Sequence, residues 1–406
     1  MTAILGGGLS GLSAAYYALE NPRLSPLTLY EASNRLGGWV RTVKSKNGVT
    51  FEKGPRTIRP SGLAGQNTLK LIDDLKLSSD ILPIPSDHPA ARNRMLYANG
   101  DLHLLPNSFR GLFKTNPPFK RPLITILKND LFSKRVIKDD ESMYSFVERK
   151  FGTDVADYLI SPMLCGICAG DAKQISVKFL LKHLFKIEQQ HRFVVGGIVK
   201  DMLDKNLAAL LPTTEEDSKK LRRELDEGHN DGIGVVMEVE GESLSPSVKR
   251  SQDEKWSVWS MREGLEKIPN TLKKQIEANN VKLSINTEIQ NIIFKENSIE
   301  METNNGVERA ERIISCLSSQ KLGKIIESQH PELARELMGI PLVNVGVVNF
   351  EFPGKILPIE AFGFLVPPKE KIPILGVIFD SCVIPREDKT VRLMDIYGRW
   401  LIGFCT

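Results

Sequence analysis

Three glycines near the amino terminus have the spacing of a phosphate-binding loop. Gly6, Gly8 and Gly11 form the pattern G-x-G-x-x-G, between an apolar strand predicted at 3–5 and a helix predicted at 9–19. The first glycine allows a tight turn, the second lets the backbone approach a pyrophosphate, and the third lets the helix pack close to a sheet. The free N–H groups at the start of the helix would then face the phosphates of a dinucleotide.

A carboxylate and a second glycine pair follow this loop. Glu31 lies twenty residues after Gly11, at the end of a strand predicted at 27–30, where it can accept hydrogen bonds from a ribose. The next run, Arg35 to Trp39, has the sequence RLGGW. Its two glycines can let a second stretch of backbone lie against a diphosphate, which the arginine can help to neutralise. A simple nicotinamide-dependent dehydrogenase needs no second glycine turn, so the pattern favours FAD over NAD.

The elements that must position these residues predict an α/β protein. Residues 3–60 have the pattern of a βαβ start, and apolar spacing from about 60 to 210 is mostly helical. A strand followed by a helix is predicted at 256–272, and further strands at 281–285, 289–294, 313–316, 343–352, 362–366 and 374–380. The segment 212–253 is highly charged, with little to bury, and is predicted to be a surface insertion.

Composition excludes several classes of protein. The net charge is +4, with 54 basic and 50 acidic residues. The sequence has no dense stripe of basic residues, so nothing in it indicates a nucleic-acid partner. The sequence contains no run of 18 or more apolar residues, so no membrane-spanning helix is predicted. Cys165 and Cys168 have CxxC spacing, but no second cysteine pair completes a metal site, so two small buried side chains are the preferred interpretation.

Longer segments carry a resemblance to a known family. They are FEKGPRTIRP at 51–60, DHPAA at 87–91 with NRMLY at 93–97, WSVWS at 256–260 with REGLE at 262–266, and FGFLVP at 362–367. The glycine loop, Glu31 and the RLGGW run resemble the flavin amine oxidase superfamily, and these segments resemble the protoporphyrinogen oxidase family in particular. The resemblance extends from Thr2 to about Arg392, apart from the charged insertion.

This resemblance implies an activity and a cofactor site. Members oxidise protoporphyrinogen IX to protoporphyrin IX; FAD takes hydride from the macrocycle, and oxygen reoxidises the flavin to give hydrogen peroxide. The implied FAD contacts are Gly6, Gly7, Gly8, Leu9, Ser10, Gly11, Glu31, Trp39, Gly54, Pro55, Arg56, Thr57 and Ile289. No histidine or carboxylate stands out as a catalytic residue, because the pyrrole nitrogens can push electrons as hydride leaves.

The implied substrate contacts lie elsewhere in the chain. Arg94 matches the arginine that pairs with a propionate of the macrocycle, since a guanidinium can bond a carboxylate through two N–H groups. Phe362 and Leu365 match apolar residues that sandwich the tetrapyrrole, although packing in a β-sheet core explains them equally well from the sequence. Gly166 and Ile378 are weaker candidates for the cavity wall.

The resemblance also implies an architecture and a location. The expected fold is a Rossmann-like FAD-binding domain with a mixed α/β substrate domain and a helical membrane-contacting domain. The predicted segments are 1–91 and 256–330 for FAD binding, 92–209 for the helices, 210–255 for the insertion, and 331–406 for the substrate-domain strands and the tail. Members of this kind are peripheral on the mitochondrial inner membrane, on the intermembrane-space side, and a homodimer is expected. An apolar run at 123–127, beside Lys128, is compatible with a membrane patch or with a buried helix face.

The sequence departs from the family pattern at two places. Cys165 stands where members usually have arginine, and no glycine-bearing strand, turn and helix follows residue 380 to cover the flavin. The second departure predicts weak FAD retention and little activity, an expectation that stoichiometric bound flavin would contradict. Two alternatives therefore stay open: a non-catalytic truncated isoform that acts by binding, and another flavin amine oxidase acting on a polyamine or a carotenoid precursor.

Overall fold

In the computed structural model, the chain divides into two units, each built from separate stretches of the sequence. The described residues are 1–133, 136–191, 193–196, 244–354, 356–357, 359–384 and 390–397, so the charged insertion predicted at 210–255 lies outside them up to residue 243. The first unit comprises Met1–Ile58, Leu71–Leu82 and Trp259–Leu342. The second comprises Arg59–Lys70, Pro83–Val258 and Val343–Thr406.

The strands and helices of the described residues follow in chain order. The strands are β1 Thr2–Leu5, β2 Leu27–Tyr30, β3 Thr42–Lys44, β4 Thr50–Glu52, β5 Ile81–Pro85, β6 Met95–Ala98, β7 Asp101–Leu104, β8 Trp256–Met261, β9 Lys282–Ser284, β10 Ile289–Phe294, β11 Ile299–Thr303, β12 Gly306–Ala310, β13 Arg312–Ser315, β14 Gly346–Pro353, β15 Gly363–Leu365, β16 Ile374–Ile378 and β17 Thr390–Tyr397. The helices are α1 Leu9–Ala18, α2 Gly62–Asp74, α3 Pro89–Arg92, α4 Thr125–Phe132, α5 Met143–Phe151, α6 Thr153–Val155, α7 Ser161–Cys168, α8 Val177–Leu180, α9 Lys182–His191, α10 Pro246–Asp253, α11 Lys267–Ala278, α12 Ser319–Ile326, α13 Pro331–Gly339 and α14 Asp380–Val383.

A four-stranded parallel sheet forms the base of the first unit. Its order is β13-β1-β2-β9, and the register sets Leu5 opposite both Tyr30 and Ser315. All residues of β1 and β2 are buried, as expected for central parallel strands that are covered on both faces. Because the strands are parallel, the residues that follow β1, β2 and β13 meet at one edge of the sheet.

A shared core joins this sheet to its neighbours in the first unit. Ala3 and Tyr30 pack in one buried cluster with Ile289 and Met301, from the antiparallel sheet β10-β11-β12, and with Ile325 of α12. Helix α1 buries Gly11, Leu12, Ala15 and Ala18, one face at intervals of three and four residues. The predicted βαβ start is confirmed.

The second unit contains a mixed six-stranded sheet and a group of helices. The strand order is β14-β17-β16-β15-β6-β7; β15 runs parallel to β6 and antiparallel to β16. The helices have a core of their own, in which Phe146 and Val147 of α5 pack against Val177 and Phe185. No helix among the described residues is both long and apolar enough to span a bilayer.

One local prediction differs from the structure, and one open alternative can be compared with it. The helix predicted at 177–187 is two helices, α8 and α9, separated at Leu181. In the run at 123–127, Leu123 and Ile126 are half-buried and pack against hydrophobic clusters, so for these residues the buried-face interpretation fits. The exposed apolar side chains come later, at Leu131, Phe132 and Ile137.

Candidate active site

Each glycine of the amino-terminal loop has a distinct structural role. Gly6 follows β1 with φ +99°, a conformation that strains other residues. A Cβ on Gly11 would lie 1.8 Å from the Gly6 carbonyl oxygen, whereas a Cβ on Gly8 would have no neighbour closer than 3.9 Å. Helix α1 has no capping side chain and no acid in its first turn, so its positive end is open to an anion. The loop is therefore tight at its ends and open at Gly8.

A second glycine turn lies directly against the first. The Gly37 N–H donates to the Gly7 carbonyl at 2.8 Å, and a Cβ on Gly38 would lie 3.0 Å from the Cα of Gly8. Two stretches of backbone that carry no side chains therefore run side by side. Any side chain at Gly8 or Gly38 would occupy the approach that a diphosphate needs, so the residues present fit a dinucleotide. We call this pair of turns the glycine cradle.

Arg35 does not project freely towards the cradle as the sequence suggested. Its guanidinium donates to the carbonyl oxygens of Leu36, at 2.9 Å, and of Gly38. Its Nη1 also lies 3.6 Å from Oε1 of Glu266. The arginine is thus part of the turn, bound across its carbonyls.

Glu31 is held at the edge of the sheet by the loop itself. Its Oε2 accepts the Gly7 N–H at 2.7 Å, and its Oε1 accepts the N–H and the hydroxyl of Ser33 at 2.8 and 2.7 Å. The Thr287 N–H donates to the Glu31 carbonyl at 2.9 Å, and Ile289, two residues on, is buried in the core cluster with Tyr30. The sequence located Glu31 but gave no sign that Ser33 would orient it.

The turn at Gly54–Thr57 is fixed from two sides. A Cβ on Gly54 would lie 2.0 Å from the Trp39 carbonyl oxygen, and the Trp39 side chain is 88% exposed. Arg56 is buried, and its carbonyl accepts the hydroxyl of Ser260 at 2.7 Å. The WSVWS segment, quoted above only for its resemblance, therefore holds this turn in place.

Four of the proposed substrate residues lie on, or directly before, the neighbouring strands β6, β15 and β16 of the sheet in the second unit. Arg94 lies just before β6 and has its guanidinium carbon 4.2 Å from the centre of the Phe362 ring. Leu365 pairs in register with Leu96, and both pack in one cluster. The strand alternation puts Ile378, opposite Gly363 in the ladder, on the same face as Leu365.

Helix α7 covers part of this face. A Cβ on Gly166 would lie 2.7 Å from Cδ2 of Leu365, so the missing side chain allows the helix to approach the strand. Cys165, beside it, is buried, and its burial raises the pKa of the thiol to about 11. That thiol is protonated at neutral pH, and no group of metal-binding side chains occurs in the described part of the chain. The structure thus joins Arg94 to Phe362 and Gly166 to Leu365.

Arg94 carries a charge without an acidic partner among the described residues. Desolvation by the surrounding atoms, together with the like charge of Arg59, lowers the pKa of the Arg94 guanidinium. An arginine stays protonated even so, and two neighbouring cations make the surface attractive to a carboxylate.

Comparison with known proteins identifies the family. Residues 9–398 match the family model for flavin containing amine oxidoreductases. The chain is 34% identical over 403 residues to the protoporphyrinogen oxidase of Bos taurus, with 98% of this chain and 77% of the relative covered. The protoporphyrinogen oxidase of Schizosaccharomyces pombe is 32% identical over 393 residues, with 93% and 74% covered. The chain belongs to the protoporphyrinogen oxidase family of flavin-containing amine oxidoreductases.

Membership in this family makes the chain an oxidoreductase and makes FAD its dinucleotide. Solved structures agree on the fold. An Exiguobacterium protein with a proposed protoporphyrinogen oxidase assignment has a TM-score of 0.70 at 21% identity, with 98% of this chain and 77% of that chain covered. Cyclohexylamine oxidase from Brevibacterium oxydans has a TM-score of 0.62 at 15% identity, with 98% and 75% covered. The predicted α/β flavin amine oxidase fold is confirmed, while a membrane-contacting role for its helices stays a prediction.

Proposed function

We propose that this protoporphyrinogen oxidase family member converts protoporphyrinogen IX to protoporphyrin IX, with molecular oxygen as the electron acceptor. The observation that carries the proposal is the Arg94–Phe362 pair, with Leu365 three residues further along the chain. A cation stacked on an aromatic ring, next to an apolar wall, suits a flat macrocycle that bears carboxylates at its rim. The protoporphyrinogen oxidases from Bos taurus and Schizosaccharomyces pombe support the same substrate.

The cofactor site that we propose is the glycine cradle with its surroundings. The loop at 6–11 would hold the diphosphate at the start of α1, and Glu31 would accept hydrogen bonds from the ribose. Trp39 and the turn at 54–57 would approach the flavin ring, and Ile289 would close the adenine side. FAD, when bound there, supplies the acceptor for hydride from the macrocycle.

The substrate site that we propose lies at β6, β15 and β16. Arg94 would bond one propionate through two N–H groups, which fixes the orientation of the ring. Phe362 and Leu365 would contact the macrocycle from either side, with Gly166 and Ile378 in the wall. These residues hold the reacting carbon and exclude water, and we assign no acid or base to them, because the pyrrole nitrogens supply the electrons.

A turnover assay tests this function. Protoporphyrinogen IX is supplied under oxygen, and formation of protoporphyrin IX is followed by its fluorescence, with hydrogen peroxide measured alongside. Catalysed turnover by FAD-loaded protein would support the proposal. Turnover of a polyamine or a carotenoid precursor instead would assign another flavin amine oxidase. Bound FAD with no turnover of any of the three would favour a non-catalytic protein.

We further propose a peripheral location on the mitochondrial inner membrane, on its intermembrane-space side, and a homodimer in solution. A relative from Nicotiana tabacum is a mitochondrial protoporphyrinogen oxidase, while the side of the membrane and the dimer rest on the family resemblance. Phe132 is 72% and Ile137 is 77% exposed; Lys128 lies four residues before Phe132, and Lys138 follows Ile137. Apolar side chains flanked by cations suit the surface of an anionic bilayer.

Sedimentation with vesicles of anionic phospholipid tests the membrane proposal. Phe132→Ser combined with Ile137→Ser is expected to reduce binding, whereas Val307→Ser, which alters an apolar side chain 62% exposed on β12, should not. Equal binding by the unsubstituted protein, the double variant and Val307→Ser would contradict the proposed membrane surface. Light scattering of the detergent-free protein would show the mass of two chains if the homodimer is correct.

A further inference from the structure

The second glycine turn has little in its own sequence to fix its shape. Gly37 and Gly38 both have positive φ, at 102° and 56°, and glycine loses more conformational freedom on ordering than any other residue. The Arg35 guanidinium bridges the turn by donating to the carbonyls of Leu36 and Gly38. The shape of the turn therefore depends on where Arg35 is held.

Glu266 lies on the other side of that guanidinium. Its Oε1 is 3.6 Å from Nη1 of Arg35, and both side chains are largely shielded, with 25% and 31% of their surfaces exposed. The carboxylate balances a positive charge that would otherwise face only two carbonyl dipoles. This electrostatic contact favours the position of Arg35 across the turn.

Glu266 is itself fixed by a hairpin far away in the sequence. Its Oε2 accepts the Thr42 N–H at 2.9 Å, and its own N–H donates to the Thr42 hydroxyl oxygen at 3.2 Å. The Thr42 hydroxyl donates in turn to the buried carboxylate of Glu52 at 2.8 Å, and Glu52 also accepts the Leu265 N–H at 2.8 Å. These bonds leave the Glu266 carboxylate little freedom to move away from Arg35.

We propose that Glu266 is a positioning residue for FAD, acting through Arg35. It keeps Arg35 on the carbonyls of Leu36 and Gly38, and so keeps the second glycine turn packed against Gly8 in the form that receives the diphosphate. The proposal rests on the assignment of FAD to the glycine cradle. Glu266 lies 224 residues after Thr42 of β3. Under this proposal the REGLE segment affects the binding of FAD without touching FAD.

The test compares two variants that remove the same charge from the same segment. Glu266→Gln loses the charge that faces Arg35 but keeps an oxygen for the Thr42 N–H. Glu263→Gln is the control, because Glu263 is 65% exposed and its ion-pair partner is Lys267. The apoprotein of each is titrated with FAD, and quenching of flavin fluorescence gives the Kd. We expect at least a fivefold rise in Kd for Glu266→Gln, and less than a twofold rise for Glu263→Gln.

A double variant separates positioning from a general loss of structure. If Glu266 acts through Arg35, the double variant Arg35→Gln/Glu266→Gln should bind FAD no more weakly than Arg35→Gln alone. Independent effects that multiply would overturn the proposal, as would a Glu266→Gln Kd equal to that of the Glu263→Gln control. Should the unsubstituted apoprotein fail to bind FAD, the cofactor assignment and this proposal would both be wrong.

Discussion

The guanidinium of Arg94 lies 4.2 Å from the centre of the Phe362 ring, although 268 residues separate the two in the chain. The parallel pairing of β6 with β15 produces this contact, with Met95 opposite Phe364 and Leu96 opposite Leu365. The Phe362 N–H also donates to the carbonyl of Asn93 at 3.2 Å. Backbone pairing thus fixes the cation over the ring before any substrate arrives.

Replacing Arg94 should weaken the binding of substrate without removing the flavin. A charge-assisted hydrogen bond contributes about 1.5–3 kcal/mol, so Arg94→Ala is expected to raise KM for protoporphyrinogen IX roughly 10- to 150-fold. Steady-state fluorescence assays give KM, and the visible spectrum gives the FAD content, which should not change. Arg92→Ala is the matched control, because Arg92 is an arginine exposed like Arg94, two residues away in the last turn of α3.

An esterified substrate sharpens this test. If Arg94 recognises a carboxylate, the unsubstituted protein should prefer the free acid to the methyl ester of the macrocycle, and Arg94→Ala should lose that preference. A variant that keeps the preference would show that Arg94 does not bind the propionate.

Adding one methyl group at Gly8 should separate folding from cofactor binding. A Cβ there has no neighbour closer than 3.9 Å, so Gly8→Ala should fold, yet the methyl group would stand where the diphosphate approaches. Overpacking costs about 1–3 kcal/mol, which corresponds to a rise in the Kd for FAD of roughly 5- to 150-fold. Titration of the apoprotein measures the Kd, and thermal unfolding checks that the fold is intact.

Gly339→Ala serves as the matched control for this change. Its Cβ would meet nothing within 4 Å, and Gly339 is the last residue of α13. Its Kd should equal that of the unsubstituted protein. Unchanged FAD binding by Gly8→Ala would place the diphosphate somewhere else.

Local sequence signals account for the part of the fold that could be predicted. The βαβ start has apolar runs of the right length and glycines at fixed offsets, and β1, β2 and β10 occur where they were expected. The hairpin of β6 and β7 was missed, although Asn99-Gly100 joins its strands with positive φ at both residues. Asn-Gly between two short strands is a strong hairpin signal, so this pairing was available in the sequence.

The remaining relationships depend on contacts between distant segments. Nothing near Arg35 indicates that Glu266 faces it, and nothing in 362–366 identifies β6 as the parallel neighbour of β15. The break between α8 and α9 is equally hidden, because the apolar spacing continues through Leu181. Periodicity predicts which face of an element is buried, but it does not predict which other element covers that face.

A buried ion network in the helices should dominate the stability of the second unit. Lys150 is fully buried, 3.2 Å from Glu188 and 3.7 Å from Asp130, and it donates to the Ser133 hydroxyl at 3.0 Å. Lys150→Met would leave these acids buried without that cation, which typically costs about 3–5 kcal/mol. Urea unfolding, followed by circular dichroism, measures the loss.

Lys273→Met is the control for the loss of a lysine charge. Lys273 is 46% exposed and pairs with the equally exposed Glu277 at 3.9 Å, so its removal should cost only about 0–1 kcal/mol. If the two variants lost similar free energies of unfolding, the buried network around Lys150 would not dominate the stability of the second unit.

The same network predicts how stability depends on pH. Burial alone would raise the pKa values of Glu141 and Glu188, but hydrogen bonds from Arg149, with others, outweigh it and lower both. Groups with a lowered folded pKa stabilise the protein fully above the unfolded value, near 4.5, and lose that contribution as the pH falls through the folded pKa. The urea concentration at the unfolding midpoint should therefore decrease as the pH is lowered below about 4.5. Each pKa unit by which a group is shifted is worth about 1.4 kcal/mol.

Arg149→Met should change the shape of this pH profile as well as its height. Without the guanidinium, which lies 3.0 Å from Glu188, burial becomes the larger influence and the carboxyl pKa values rise. The variant should then be less stable at pH 7 and should lose less stability on acidification, because protonation relieves the buried charges. Lys273→Met removes a cation from the exposed Lys273–Glu277 pair, 3.9 Å apart, and should leave the profile unchanged. A variant curve parallel to that of the unsubstituted protein would show that other carboxylates set the acid limit.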